Sequence, residues 1–209
     1  MMCFKFLNVE AGGIDFSDGI IQIHPEMESI QKIKNDKEKK ERISEYFDHF
    51  YEEYKSMIDK DLLAVEKKWN KIQDKFFLEV QKIFGNYEWP KGKYIGYIST
   101  MNCNTVFWED RTWQIFAFLP DRYNGLIVHE MLHFIFLDYF NKNVKSKKLI
   151  DNQWMILEVF NAVIMNEPAF RKMIVPDIEL GYPDHKEIIK KMTREWKKTK
   201  DIKKWLTKF

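Results

Sequence analysis

Apolar residues recur at three- and four-residue steps from Ile30 to Ile83, through Ile33, Ile43, Phe47, Phe50, Tyr54, Ile58, Leu62, Val65, Trp69, Ile72, Phe76 and Val80. That is the period of one helical face, so residues 26–85 read as helix with charged residues on the other faces. The stretch from Asn35 to Arg42 is nearly all charged. It is expected to break or bend the run and leave two long helices, paired as a hairpin. Residues 1–25 read as an extended entry. Gly12-Gly13 and Asp18-Gly19 are turn signals, and Ile20, Ile21 and Ile23 after them suggest a hairpin strand. His24 precedes Pro25, lacks a spaced partner and reads as a surface residue.

Beyond Gly85-Asn86 the period changes. Three strand-like runs follow turns at Trp89-Pro90 and Lys91-Gly92: Tyr94 to Thr100, Thr105 to Trp108 and Trp113 to Leu119. Glu109-Asp110-Arg111 reads as the tight turn between the last two. Pro120-Asp121 closes the sheet, and Asn124 is placed to cap a helix. From Leu126 to Phe140 that helix is apolar on every face, and its only polar members before Asp138 are His129, Glu130 and His133. Asp138 is expected to face solvent.

His129-Glu130-Met131-Leu132-His133 spells H-E-x-x-H. On a helix, positions i and i+4 share a face, so the two imidazoles project side by side, as two ligands of one tetrahedral zinc ion must. Glu130 is then close enough to serve as general base toward a water activated by that ion. Burying three such side chains without partners costs several kcal/mol, of order 2–7 each. A divalent cation satisfies all three together. The bland alternative is a pair of core histidines and a buried glutamate bonded to neighbours.

A second apolar helix, Trp154 to Met165, carries one carboxylate, Glu158. A lone acid there needs a cation or a strong donor set. It is the leading third ligand, with a buried salt bridge to Arg122 or Arg171 as the competing reading. Glu167, before Pro168, and Cys103 are the other candidates.

The residues His129, Glu130 and His133 resemble the motif of the zincin zinc metallopeptidases. With its supporting strands and second helix the likeness extends over residues 94–185, and the first ninety residues match nothing. The metzincin branch would need Gly at position 136 and His at 139, where this chain has Phe136 and Tyr139. The gluzincin branch takes a glutamate from a later helix, which the resemblance maps onto Glu158, with twenty-four residues between it and His133. It also implies a residue bonded to a ligand histidine about one turn on. Asn161 lies at i+3, although the thermolysin-like pattern uses i+4, here Ala162. The same resemblance implies a Tyr or His beyond the third ligand to stabilise the oxyanion, and Tyr182 and His185 stand in that part of the chain. An edge strand that binds extended peptide is implied too, and the run near Asn102 to Phe107 is the choice for it.

Composition bounds the remainder. Hydrophobic residues make up 45 % and aromatics 16 % of 209 residues, which is a globular chain. A net charge of +2 gives no global field that argues for nucleic acid. Two cysteines, Cys3 and Cys103, form no disulfide framework, and the N-terminus carries no long apolar run of a secretory signal. A cytoplasmic location without a transmembrane segment is the expectation. Residues 186–209 hold ten Lys or Arg against three acids and read as a basic amphipathic helix, with an acidic partner as a minor possibility.

The expected fold class is α+β. A zincin-like catalytic unit over residues 89–185 (small sheet, H-E-x-x-H helix, second ligand helix) follows a helical region over 26–88. The expected function is a zinc-dependent peptidase acting on peptide or protein, with His129, His133 and Glu158 on Zn2+, Glu130 as base, and Tyr182 or His185 at the oxyanion. A zinc-binding regulator or toxin-like effector with a single partner, or none to cut, is the first alternative. A metal-free helical adaptor is the second.

Overall fold

In a computed structural model, residues 17–85, 87–101, 104–174 and 181–209 are described. The chain is α+β, dominated by helix, with one small sheet. Two short helices, α1 (Ser17–Ile23) and α2 (Met27–Ile30), lead into α3, which runs unbroken over 49 residues, Asp36–Phe84. At 1.5 Å per residue α3 is about 73 Å long.

The entry differs from the sequence expectation in three ways. Asp18 to Ile23 is helical rather than a hairpin strand, and Gly12-Gly13 lies outside the described residues. The charged run does not break the helix but starts it. Asn35 caps it, its Oδ1 accepting from the amides of Lys37 at 3.0 Å and Glu38 at 3.1 Å. Asp36 and Glu38 then favour the positive end of the helix dipole. So there is one long helix, not two. Finally, His24 is fully buried, not on the surface. Its ring bonds the hydroxyl of Tyr46 and the carbonyl of Thr100, which together satisfy both ring nitrogens inside an apolar cluster of Ile20, Met27, Ile43, Phe47 and Met101.

The three strands are β1 (Ile95–Ser99), β2 (Thr105–Phe107) and β3 (Thr112–Phe116), in the order β1-β3-β2. β3 is central and wholly buried, parallel to β1 and antiparallel to β2. The turn between β2 and β3 contains Arg111 at φ 51°. β1 and β2 are the edges.

Past β3 the chain turns a corner into α4 (Tyr123–Asn143), the H-E-x-x-H helix. Phe118 sits at φ 65°, a conformation costly for a bulky residue, and its amide donates to Oδ2 of Asp61 on α3 at 2.8 Å. Lys68 of α3 holds the carbonyl of Pro120 and lies 3.8 Å from Asp121. The long helix thus fixes the approach to α4. No side chain caps α4; Asn124, expected in that role, lies inside the helix and donates to the carbonyl of Met173 at 3.0 Å. Asp138 is only partly exposed, because it accepts from Tyr87 and Lys142.

A short helix, α5 (Lys147–Ile150), leads to α6 (Gln153–Met165), which packs on α4 through Phe136 and Phe160, stacked with ring centroids 4.1 Å apart. The last turn-helices are α7 (Pro168–Arg171), α8 (Lys186–Thr199) and α9 (Ile202–Leu206). The C-terminal segment is therefore not one helix: Lys200 takes a left-handed conformation and Asp201 caps α9, which folds Trp205 back onto Trp196 and Phe160. Among the described residues no helix is long and apolar enough to cross a membrane.

Candidate metal centre

α4 and α6 lie side by side, and the polar side chains of their buried middles, His129, His133, Glu158 and Asn161, meet between them. His129 and His133, one turn apart on α4, bring their Nε2 atoms to 2.9 Å. Glu158, in the middle of α6, places Oε2 3.5 Å from Nε2 of His129 and Oε1 3.4 Å from Nε2 of His133. Neither Arg122 nor Arg171 is needed to explain its burial. Metal–donor distances of about 2.0–2.1 Å in a tetrahedron set ligand atoms about 3.3 Å apart. The observed separations bracket that value. His129, Glu130 and His133 also have potential ligand atoms within 4.8 Å of one another, a group that could hold a metal ion.

Charge favours a cation here. Burial, reinforced by His133, holds the His129 imidazole down at about 4 against the pull of Glu158, so the ring is neutral at neutral pH. Burial pushes the Glu158 carboxyl up, but its contacts with the neighbouring histidines, the hydrogen bond from His133 foremost, outweigh it and hold the group below the usual glutamate range. Two imidazole rings and a carboxylate thus converge. Glu130 is 4 % exposed, and burial, with Glu158 nearby, drives its carboxyl well above the ordinary value.

Asn161 stands behind the cluster, fully buried. Its Nδ2 donates to the carbonyl of His129 at 2.8 Å and lies 3.2 Å from Nδ1 of His133, while Oδ1 has no partner. Turning the amide over would set Oδ1 against the His129 carbonyl and lose that bond, so Nδ2 keeps its place and holds both the His129 backbone and the His133 ring. Two imidazole nitrogens and a carboxylate at these separations are a donor set that could hold a metal ion.

The loop before α8 delivers the remaining candidates. Gly181 (φ 92°) lies so close to α6 and α8 that a Cβ would come within 3.2 Å of Cβ of Ala162 and 2.5 Å of Ile189. Glycine alone allows that approach. Tyr182 and His185 then sit with ring centroids 5.7 Å apart, both against Trp154. Burial, together with the charges of Glu158 and Glu130, pushes the Tyr182 phenol up to about 12, so it stays a donor. The structure therefore gathers His129, Glu130, His133, Glu158, Asn161, Tyr182 and His185 into one region. Glu167 is elsewhere, paired with Lys200, and Cys103 lies outside the described residues. β2, the favoured peptide strand, is an edge strand over Thr105–Phe107, and Asn102 lies outside the described residues.

Two neighbours escaped sequence reasoning. Trp108, just past β2, lies edge-on to His133 with centroids 5.9 Å apart, and Trp154 is one turn before Glu158 on α6. The i, i+4 relation of Trp154 to Glu158 was a readable signal; nothing local marked Trp108.

No family model matches the chain, and neither a curated protein nor a solved structure matches it.

Proposed function

We propose that this chain is a zinc-dependent peptidase of the zincin type, with His129, His133 and Glu158 as the ligands. The observation that carries the reading is the triangle of two Nε2 atoms and one carboxylate at 2.9, 3.4 and 3.5 Å, contributed by the buried middles of α4 and α6. A hydrogen bond between the rings also gives 2.9 Å; the carboxylate lying against both Nε2 atoms is what favours an ion. Zinc held there supplies a Lewis acid that polarises a carbonyl and makes water a nucleophile near neutral pH.

The residues of the chain supply the rest. Glu130 accepts the proton that the attacking water gives up, on a carboxylate oxygen beside the two imidazoles, and returns it to the leaving amine. Asn161 fixes the His133 ring and the backbone of His129, so that the ligands need not reorganise. The phenol of Tyr182 donates to the oxyanion, with His185 beside it as a second donor. Thirteen of the twenty-one residues of α4 are buried, which holds the base and two ligands on a rigid element.

Elemental analysis of protein purified without a metal-affinity tag tests the reading. About one zinc per chain, with hydrolysis of unstructured peptides that a chelator abolishes, is the expected result. No zinc after incubation with the ion would overturn it. Zinc with no cleavage of general peptides would favour an effector restricted to one partner.

A further inference from the structure

We infer that Trp108 and Trp154 are the specificity-determining walls of the site, and that its substrate is a peptide segment with aromatic or large aliphatic residues flanking the scissile bond. The inference rests on the peptidase reading for the reaction, but not for the binding.

The chain has seven tryptophans, and all are among the described residues. Trp113, Trp196 and Trp205 are buried, while Trp69 and Trp89 pack partly buried against the main core. The two exposed ones, each 41 % accessible, are Trp108 and Trp154. Tryptophan carries the largest apolar surface of any side chain, and leaving it in water is unfavourable. That both exposed rings lie beside one polar cluster is therefore informative.

They come from different elements and touch different members of the region. Trp108 belongs to the sheet and lies edge-on to His133 and to Phe134 of α4, at 5.9 and 5.6 Å. Trp154 belongs to α6, one turn from Glu158, and packs on Tyr182 at 5.2 Å and His185 at 5.5 Å. These contacts lock the rings without covering them. A peptide carbonyl at the cluster would put the side chains of its two flanking residues within reach of one indole each. Large apolar side chains would remove both faces from water, whereas small polar ones would leave them wet.

Fluorescence anisotropy of two labelled hexapeptides on the Glu130→Gln protein separates binding from cleavage. One peptide carries phenylalanine and leucine at its central positions, the other serine at both. The apolar peptide is expected to bind at least about tenfold more tightly. Trp108→Ala and Trp154→Ala should each erase most of that preference, and Trp→Phe at either position should keep most of it. The alanine variants should melt somewhat lower, since more than half of each ring is covered, while their unchanged affinity for the serine peptide shows that the fold is kept. Equal affinities, binding of neither peptide, or a preference that survives both alanine substitutions would overturn the inference. A Trp-dependent preference in a protein that hydrolyses neither peptide would leave the walls standing and remove only the peptidase reading. Cleavage by the wild type with no preference would do the reverse.

Discussion

α3 and α4 are both long helices, yet they solve different problems. α4 buries thirteen of its twenty-one residues, and two of those are Glu130 and His133. α3 buries six of forty-nine, all apolar, in two groups: Ile43 and Phe47 near one end, and Val65, Phe76, Val80 and Phe84 toward the other. Between Phe47 and Val65 it buries none. A helix face that is shut off from water must satisfy every polar side chain it carries, so Glu130 and His133 need partners inside the protein. α3 can carry charge freely, because water satisfies it. Its contribution is mechanical, through Asp61 and Lys68 at the corner that launches α4.

The sharpest way to test this contrast is to change one atom on each helix. Glu130→Gln is expected to lower kcat for peptide hydrolysis about a thousandfold while zinc content and melting temperature hold. Glu45→Gln on α3, where the carboxylate pairs with Arg42 at the surface, should change neither. A fully active Glu130→Gln protein would sink the proposed mechanism.

Packing should show the same divide. Phe136 is fully buried and stacks on Phe160, at the seam that keeps α4 and α6 in register. Phe136→Ala is expected to cost about 3–5 kcal/mol in urea unfolding, because the surrounding helices cannot close over the lost ring.

The divide also explains what could be read from the sequence. The α4 motif, the carboxylate on α6 and the three strands were legible, because periodicity and lone polar residues in apolar runs are local signals. Asn161, Tyr182 and His185 could be nominated only through the family resemblance; Asn161 meets the histidines because α6 packs on α4, and Tyr182 and His185 arrive by the close approach at Gly181, which no local pattern announces. The entry was misread for the same reason. His24 looks like a surface residue beside Pro25, and only the distant Thr100 and Tyr46 give it a buried place. The charged run at Asn35 looked like a break, but acids and an asparagine cap at a helix start stabilise it instead.

Removing the metal is the next test in size. Were zinc free at about a hundredfold above its Kd, binding would add about 3 kcal/mol to stability, and excess chelator should remove it as a drop in melting temperature. Glu158→Gln should shrink that drop. If chelator leaves melting unchanged, α4 and α6 hold a polar cluster without an ion.

His24 gives a smaller, pH-dependent effect at the far end of α3. Burial lowers its pKa below 6.5, outweighing the hydrogen bond to Thr100. The unfolded chain therefore takes up the proton first as pH falls. The contribution to stability is complete above pH 6.5 and is lost from there toward the depressed folded value. Melting temperature measured from pH 8 to 5 should fall more steeply in the wild type than in His24→Gln; parallel curves would mean that the ring is not buried neutral. Comparing the two proteins cancels the titration of His129, which shares the sign.

The smallest effect expected is at the middle of α3. Leu63 is 67 % exposed, so Leu63→Ala removes little surface that folding buries, and alanine is the better helix former. Its stability should stay within about 0.5 kcal/mol of the wild type. Leu62, at 42 %, should behave alike. If either substitution instead costs more than about 2 kcal/mol, that stretch of α3 is covered in solution, and the contrast between a buried chemical helix and an open mechanical one fails at its centre.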